Sequence, residues 1–280
     1  MTTTFDLDAY CERIRYAGDR SPTLDTLRAI HLLHTETIPF ENLNPFLGWP
    51  VPLDAGALQQ KMVRHGRGGY CFEQNLLFSH ALRGLGFRVT GLAARVLWNT
   101  REDAVVRRSH MLLRVDLTES SYVADVGFGG QTLTGPVRLE PDTEQTTPHE
   151  PFRLTRAGSE YVLRSKIAGA WKALYRFDLR EELLPDYEVI NWYLSNHPNS
   201  RFVTGLIAAR PARGRRYGLY NNEFAVHDLN GSTRRRLLTT TAELRETLED
   251  VFQLTLPDAP ELEGALERVA ARPGQAPPRE

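Results

Sequence analysis

The stretch Arg67-Gly68-Gly69-Tyr70-Cys71-Phe72-Glu73-Gln74-Asn75 places a single thiol between two glycines and an amphipathic run. Apolar residues recur with helical spacing from residue 72 to residue 83, so Cys71 lies at the predicted start of a helix that ends at Gly84 or Gly86. A lone cysteine is commonly a small buried residue. At a helix start, however, the dipole and unpaired N–H groups favour a thiolate, and lowering a thiol pKa by about two units makes it mostly nucleophilic. We also expect the glycines to let the backbone turn sharply.

Helical periodicity extends over the rest of the first third of the chain. Leu24, Leu27 and Ile30 form one apolar stripe. Asp54 is the expected cap of a further helix that runs through Leu58. The sequence therefore predicts an N-terminal helical bundle.

The hydrophobic period changes to two beyond residue 87. Short strands are predicted over residues 89–98, 110–117, 122–126, 161–165 and 171–177. Because turns separate them, the middle third is expected to be an antiparallel sheet or barrel. A third unit combines predicted strands over 202–208 and 223–228 with a helix over 242–254 that opens with a capping box of Thr240 and Glu243.

Composition excludes several classes of function. The chain has 34 Lys and Arg against 35 Asp and Glu, so the net charge is −1 and the global attraction to nucleic acid or anionic membrane is missing. Acidic residues interrupt the first twenty positions, so no secretory signal is expected and a cytoplasmic location is predicted. Two cysteines, Cys11 and Cys71, are too few for a zinc-thiolate centre, and no metal site is predicted.

Common cofactor and hydrolase motifs are also missing. The glycine-rich run that begins at Gly127 needs a glycine where Thr132 stands to match a dinucleotide-binding motif. Lysine nowhere follows glycine, which excludes a P-loop, and H-E-x-x-H, C-x-x-C and G-x-S-x-G do not occur. We therefore expect no permanently bound cofactor.

A nucleophilic thiol requires a base, and the base requires a carboxylate that orients it. His110 lies in one predicted strand, and Asp125 interrupts an apolar run in the next. A turn over residues 116–119 would pair them directly, about 5 Å apart at Cβ. A turn centred on Ser120 would instead offset them by several residues, and the sequence leaves this register open.

The motifs together resemble the arylamine N-acetyltransferases. The resemblance rests on the stretch quoted above, on Ile38-Pro39-Phe40-Glu41-Asn42-Leu43, on Ser109-His110, and on Asp125-Val126-Gly127-Phe128-Gly129-Gly130. Further similarity around residues 195–205 and 224–227 extends it over nearly the whole chain. It implies an α+β fold with a cysteine-protease-like Cys-His-Asp core. The three units are a helical bundle over 1–86, an antiparallel β-barrel over 87–190 and an α/β lid over 191–280.

The resemblance also implies a function in xenobiotic metabolism. Cys71 would accept an acetyl group from acetyl-CoA, with His110 as its base and Asp125 as third member, and pass the group to an arylamine or arylhydrazine in ping-pong order. The residues implied for the aryl pocket are Phe40, Tyr70, Val96, Phe128 and Phe202. Those implied for the coenzyme cleft are Ser109, Gly127, Gly129, Gly130 and His227. Glu41 and Arg67 are expected to form a buried charge pair, and a homodimer is left open.

Two alternatives remain at this point. A cysteine hydrolase or transglutaminase-like enzyme also presents Cys, His and an acid in this chain order, but it would release acyl groups to water without an amine. A non-catalytic binding module could instead use the arginines at 210, 213, 215, 216 and 234–236. A solvated loop face explains these arginines more simply, although some could contact coenzyme phosphates.

Overall fold

A computed structural model describes residues 5–273, and its first third is helical. The Asp54 side chain accepts a hydrogen bond from the backbone N–H of Ala57 at 3.0 Å, which confirms the predicted cap. A π-helical turn, Gln60–Arg64, continues that helix. The elements of this third are α1 (Leu7–Arg13), α2 (Leu24–Thr37), β1 (Phe40–Glu41), α3 (Leu43–Phe46), α4 (Ala55–Gln59) and α5 (Cys71–Gly84).

The middle third forms the predicted antiparallel barrel. Its strands are β2 (Arg88–Val96), β3 (Arg108–Asp116), β4 (Ser121–Ala124), β5 (Val137–Arg138), β6 (Glu144–Gln145), β7 (Phe152–Ala157), β8 (Glu160–Ile167) and β9 (Ala170–Phe177). They follow the order β5-β4-β3-β2-β9-β8-β7-β6. The Gln145 side chain on β6 nearly closes the barrel by bonding to the backbone of Arg138 on β5. Its Oε1 accepts a hydrogen bond from Arg138 N at 2.7 Å, and its Nε2 donates one to Arg138 O at 2.9 Å. One side chain thus bridges the two edge strands of the sheet.

The sequence left the register of the hairpin between β3 and β4 open, and the observed register lies two residues from the one that pairs His110 directly with Asp125. Leu113 lies opposite Ala124 and Asp116 opposite Ser121, so the turn occupies 117–120. Direct pairing of His110 with Asp125 would have set Asp116 against Glu119, and like charges directly opposite are destabilising. In the observed register Ser121 Oγ donates to Asp116 Oδ1 at 2.5 Å. A shift of two residues keeps every side chain on the same face of the sheet.

The last third contains a five-stranded antiparallel sheet covered by helices. Its elements are α6 (Leu184–Asn196), α7 (Arg201–Thr204), β10 (Ile207–Ala212), β11 (Arg215–Tyr220), β12 (Glu223–Asp228), β13 (Thr233–Leu237), α8 (Thr241–Glu246) and α9 (Pro260–Ala270). The capping box of Thr240 and Glu243 is confirmed. The predicted strand over 202–208 is wrong at its start, because the Ser200 hydroxyl accepts from Phe202 N at 3.3 Å and caps a short helix there.

The helical third and the C-terminal sheet are joined by a strand. Strand β1 forms the edge of that sheet by pairing with β10, with Phe40 opposite Ala209. Beside this edge, the buried Asn42 side chain donates to the carbonyls of Phe202 and Gly205, both at 2.7 Å, and accepts from Ile207 N at 2.7 Å. The predicted boundary between the β-barrel and the α/β lid, at residue 190, falls within α6. Among residues 5–273, no helix is long and apolar enough to cross a membrane.

We expect Asn42→Ala to destabilise the protein by about 3 kcal/mol, because it leaves buried backbone groups without partners. Urea unfolding should show a lower midpoint with an unchanged slope. The exposed Asn199 provides the control, and Asn199→Ala should unfold with the parent protein. An Asn42→Ala midpoint equal to that of the control would contradict the bridging role.

Candidate active site

Cys71 is the first residue of α5 and is almost completely buried, with 3% of its surface exposed. The Glu73 carboxylate accepts from Tyr70 N at 3.0 Å and so fixes the residue that precedes the helix. The sulfur approaches the Ser109 carbonyl of β3 at 3.9 Å, the distance of a weak S–H···O hydrogen bond. Helix α5 therefore presents the thiol to the barrel.

Burial raises the pKa of the Cys71 thiol to about 12, and the negative charge of Asp125 adds to this effect. Backbone N–H groups of Met111 and Phe72 lower the pKa but do not compensate. The expectation that the helix start alone lowers the pKa is therefore wrong, because desolvation of a buried anion outweighs the helix terminus. The resting thiol is protonated and needs a base.

The structure brings His110 and Asp125 together in the barrel wall. His110 Nε2 lies 2.7 Å from Asp125 Oδ2, and both side chains are buried. Burial alone would raise the pKa of Asp125, but the charge of His110 and several hydrogen bonds hold it below its ordinary value. One of these bonds comes from Gly127 N, at 2.9 Å from Oδ1. The carboxylate is thus ionised and fixes the imidazole by its Nε2 atom.

The side chain of Asn75 joins the helix to the barrel. Its Nδ2 donates to Met111 O at 2.8 Å and to Asp125 Oδ1 at 3.0 Å, while its Oδ1 accepts from Val126 N at 3.1 Å. No role was predicted for Asn75 from the sequence. Its position four residues after Cys71 was the available signal, since residues i and i+4 share a helix face.

Two glycines are required by close packing. A Cβ at Gly127 would lie 2.9 Å from the Cys71 Cα, and a Cβ at Gly68 would lie 2.1 Å from the Pro39 carbonyl oxygen. Gly68 and Gly69 both lack a positive φ, so the expected sharp turn is wrong and close approach replaces it. Gly127 accordingly packs on the backbone of Cys71.

Four buried charges support the segment that precedes Cys71. The predicted pair is present, with Arg67 Nη2 at 2.8 Å from Glu41 Oε1. Lys61, on the π-helical turn, lies 2.7 Å from Glu73 and 3.7 Å from Glu41. Burial raises the pKa of Glu73, and Lys61 opposes that shift. The contact between Lys61 and Glu73 was not predicted, because an apolar periodicity does not show which cation meets which carboxylate.

The five aromatic-pocket candidates fall into two groups. Phe202 lies against Phe40 and Tyr70, with ring centroids 6.2 and 5.3 Å away. The ring centroid of Phe128 lies 5.0 Å from the ring centroids of both His110 and Tyr175.

Val96 belongs to the second group, because it pairs with Tyr175 across β2 and β9. A Cβ on Gly129 would be 3.8 Å from the Phe40 ring. Gly129, the residue after Phe128, therefore lies beside the first group. No sequence pattern indicated that Tyr175 belongs to the second group.

The residues implied for the coenzyme cleft are spread over more of the structure than the aromatic residues. The backbone carbonyl of Ser109 lies near the Cys71 sulfur, and Gly127 packs on the backbone of Cys71. Gly129 and Gly130 lie in a tight turn, Gly129–Gln131, that packs against β10. His227 is half-buried on β12 and hydrogen-bonds through Nδ1 to Thr233 Oγ1 at 3.0 Å.

The expected solvated arginine face is wrong at two positions. Arg216 is only 1% exposed. Arg210 is half-buried and bonds to the carbonyls of Val251 and Glu36 at 2.9 and 3.0 Å. Arg213 and the arginines of β13 are exposed as expected. Within residues 5–273, no group of three or more His, Cys, Asp or Glu side chains could hold a metal ion.

Comparisons with known proteins agree with this geometry. A family model described as N-acetyltransferase matches residues 23–261. The arylamine N-acetyltransferase of Mycobacterium tuberculosis H37Rv is 44% identical over 266 residues, covering 94% of this chain and 93% of that protein. The Escherichia coli K12 arylamine N-acetyltransferase is 41% identical over 254 residues, covering 90% of each.

Solved structures give the same result. The Mycobacterium marinum arylamine N-acetyltransferase superposes with a TM-score of 0.91 at 41% identity, covering 95% of this chain and all of that one. The same enzyme in complex with CoA gives 0.90 at 41% identity, covering 94% and 99%. The fold and its match to these enzymes define an acyltransferase. The chain belongs to the arylamine N-acetyltransferase family, as its motifs implied.

We expect Lys61→Met to destabilise the protein by about 3 kcal/mol at pH 7, because it leaves the Glu73 carboxylate buried without its cation. The folded-state pKa of Glu73, already raised, would rise further, so the folded state binds this proton more tightly than the unfolded state. Stability is then lost as pH increases from about 4.3 through the raised pKa.

Urea unfolding of the Lys61→Met variant and the parent between pH 4.5 and 7.5 measures this difference. Arg64→Met removes an exposed cation from the same turn and should show no such pH dependence. A constant difference between Lys61→Met and its parent across this range would contradict the assigned ion pair.

Proposed function

We propose that this protein transfers an acetyl group from acetyl-CoA to arylamines and arylhydrazines through an acetyl-cysteine at Cys71. The contact of 2.7 Å between His110 and Asp125, beside a buried thiol, is the observation that carries the proposal. The CoA complex of the related Mycobacterium marinum enzyme supports acetyl-CoA as the donor. Cytoplasmic location, a homodimeric state and a role in xenobiotic metabolism stay predictions.

The first half-reaction begins with proton transfer from the Cys71 sulfur to His110 Nδ1, the ring nitrogen that Asp125 does not engage. The thiolate attacks the thioester carbonyl carbon, and the bond from that carbon to the coenzyme sulfur breaks. The imidazolium returns its proton to the leaving thiolate. Asp125 stabilises the imidazolium in the interval.

The second half-reaction uses the same groups in reverse. The amine nitrogen attacks the acetyl-cysteine carbonyl, its proton passes to His110, and the imidazolium reprotonates the departing Cys71 sulfur. The N-acetylated product leaves and the thiol is restored. Coenzyme and amine never need to be bound together, so one cleft serves both.

The walls beside Cys71 favour a flat acceptor. Phe40, Tyr70 and Phe202 supply apolar ring surfaces. The nearest acids on the adjoining loop, Glu41 and Glu73, are already paired with buried cations, so they do not hold a cationic alkylamine. Arylamines are largely unprotonated at pH 7 and attack directly. Burial of the thiol also protects an acetyl-cysteine from water, which argues against the hydrolase alternative.

Cys71→Ser should abolish acetyl transfer and leave the fold intact, because a hydroxyl of far higher pKa is not activated by the same imidazole. Intact-mass measurement after incubation with acetyl-CoA should show one added acetyl group on the parent and none on the variant. Cys11→Ser is the control, since that second buried thiol lies on α1, and it should remain acetylated. Substantial turnover by a folded Cys71→Ser protein would refute the proposal.

Initial rates over a grid of acetyl-CoA and arylamine concentrations should give parallel double-reciprocal lines, because coenzyme leaves before amine binds. Intersecting lines would show a ternary complex and remove the obligatory acetyl-cysteine. CoA release that continues beyond one equivalent per thiol with no amine present would instead favour the hydrolase. A burst of CoA limited to one equivalent per thiol is the expected result.

A further inference from the structure

A single buried arginine crosses from the C-terminal sheet to the barrel. Arg216 lies on β11 with 1% of its surface exposed. Its Nη2 is 2.6 Å from Glu150 Oε2, and its Nε is 3.0 and 2.9 Å from the two carboxylate oxygens. Glu150 lies just before β7 and is 14% exposed. The pair therefore joins two units that are 66 residues apart in sequence.

Both partners are charged. Burial would raise the pKa of Glu150, but the charge and hydrogen bonds of Arg216 hold it below its ordinary value. A guanidinium stays protonated in proteins. His149, the residue before Glu150, has its Nε2 atom 3.0 Å from Ala212 O and 3.3 Å from Arg215 O. The same barrel segment therefore also contacts the end of the β10–β11 hairpin.

The remaining guanidinium nitrogen holds the glycine turn. Arg216 Nη1 donates to Thr132 O at 3.0 Å and to Gly130 O at 3.3 Å. These carbonyls flank the end of the turn that follows Gly127, the residue packed on Cys71. On the other side, Arg216 is paired across the strands with His227. Arg216 thus lies next to both parts of the cleft implied for the coenzyme.

We propose that Arg216, oriented by Glu150, is a positioning residue for acetyl-CoA, an inference that rests on the proposed function. It fixes the turn Gly129–Gln131 against β11, and so sets how the coenzyme thioester reaches Cys71. All three guanidinium nitrogens already bond to protein acceptors, so Arg216 acts through the turn and not as a phosphate ligand.

Lysine does not replace this arrangement. Its single ammonium lacks the planar fork that engages a carboxylate and two carbonyls together. Arg216→Lys therefore keeps the charge beside Glu150 but releases the turn. Glu150→Gln is the milder variant, because its amide retains one acceptor oxygen while the charge that orients Arg216 is lost.

The experiment compares two acetyl donors with one arylamine acceptor. Acetyl-CoA uses the whole cleft, whereas p-nitrophenyl acetate delivers the same acetyl group without a nucleotide. For Arg216→Lys we expect kcat/KM for acetyl-CoA to fall by about 100-fold, the size of effect that a misplacement of about 1 Å produces. The values for p-nitrophenyl acetate and for the arylamine should stay within about twofold of the parent. Glu150→Gln should show the same selectivity with a smaller loss.

Arg245→Met is the matched control. It removes an exposed pair with Glu263 that joins α8 to α9 inside the C-terminal third, and it should leave all three values unchanged. Equal losses with both donors, or no loss with acetyl-CoA, would overturn the positioning role. If Arg216→Lys does not fold, Glu150→Gln decides by the same comparison. A parent protein that neither donor acetylates at Cys71 would refute the proposed function itself, which is a separate outcome.

Discussion

The amide of Asn75 is the contact on which the site depends. It links the helix bearing Cys71 to Met111, the residue after His110 on β3, and to the carboxylate of Asp125. The three groups come from segments that share no local sequence, so their alignment requires a bond across the helix-barrel interface. An amide is suited to this because it donates and accepts at once, and burial makes each unmet hydrogen bond costly.

Charge in this interior follows one rule, namely that each buried ion has a partner in contact. Glu41 and Glu73 share two cations, and Asp125 is matched by an imidazole and an amide. Burial of the Cys71 thiol and the charge of Asp125 raise its pKa. Under the proposed mechanism, proton transfer forms the thiolate and the imidazolium together, so the thiolate has a cation as soon as it forms. Such a nucleophile is unreactive toward solvent and reactive toward an acyl donor.

The sequence predicted the elements near Cys71 better than the contacts between elements. Periodicity and caps locate α5 and the barrel strands, because those signals are local. The register of the hairpin that precedes Asp125 stayed open, since alternation alone fixes the face of a strand and not its partner. Burial of Arg216 could not be predicted, because its acid stands 66 residues away in a loop. Asn75 could have been found from its spacing to Cys71.

Strand β1 has a consequence for how the chain matures during synthesis. Phe40 pairs with Ala209 on one side and with Gly69 on the other. The segment before the nucleophile is therefore held, through Phe40, by a strand that is synthesised much later than either of them. Contacts of such separation form late, after the entropy of closing a long loop has been overcome. On a ribosome the helices can form early, but the site is completed only after β10 has emerged. A truncated chain that ends before β10 would therefore expose an unfinished thiol site without its edge strand partner.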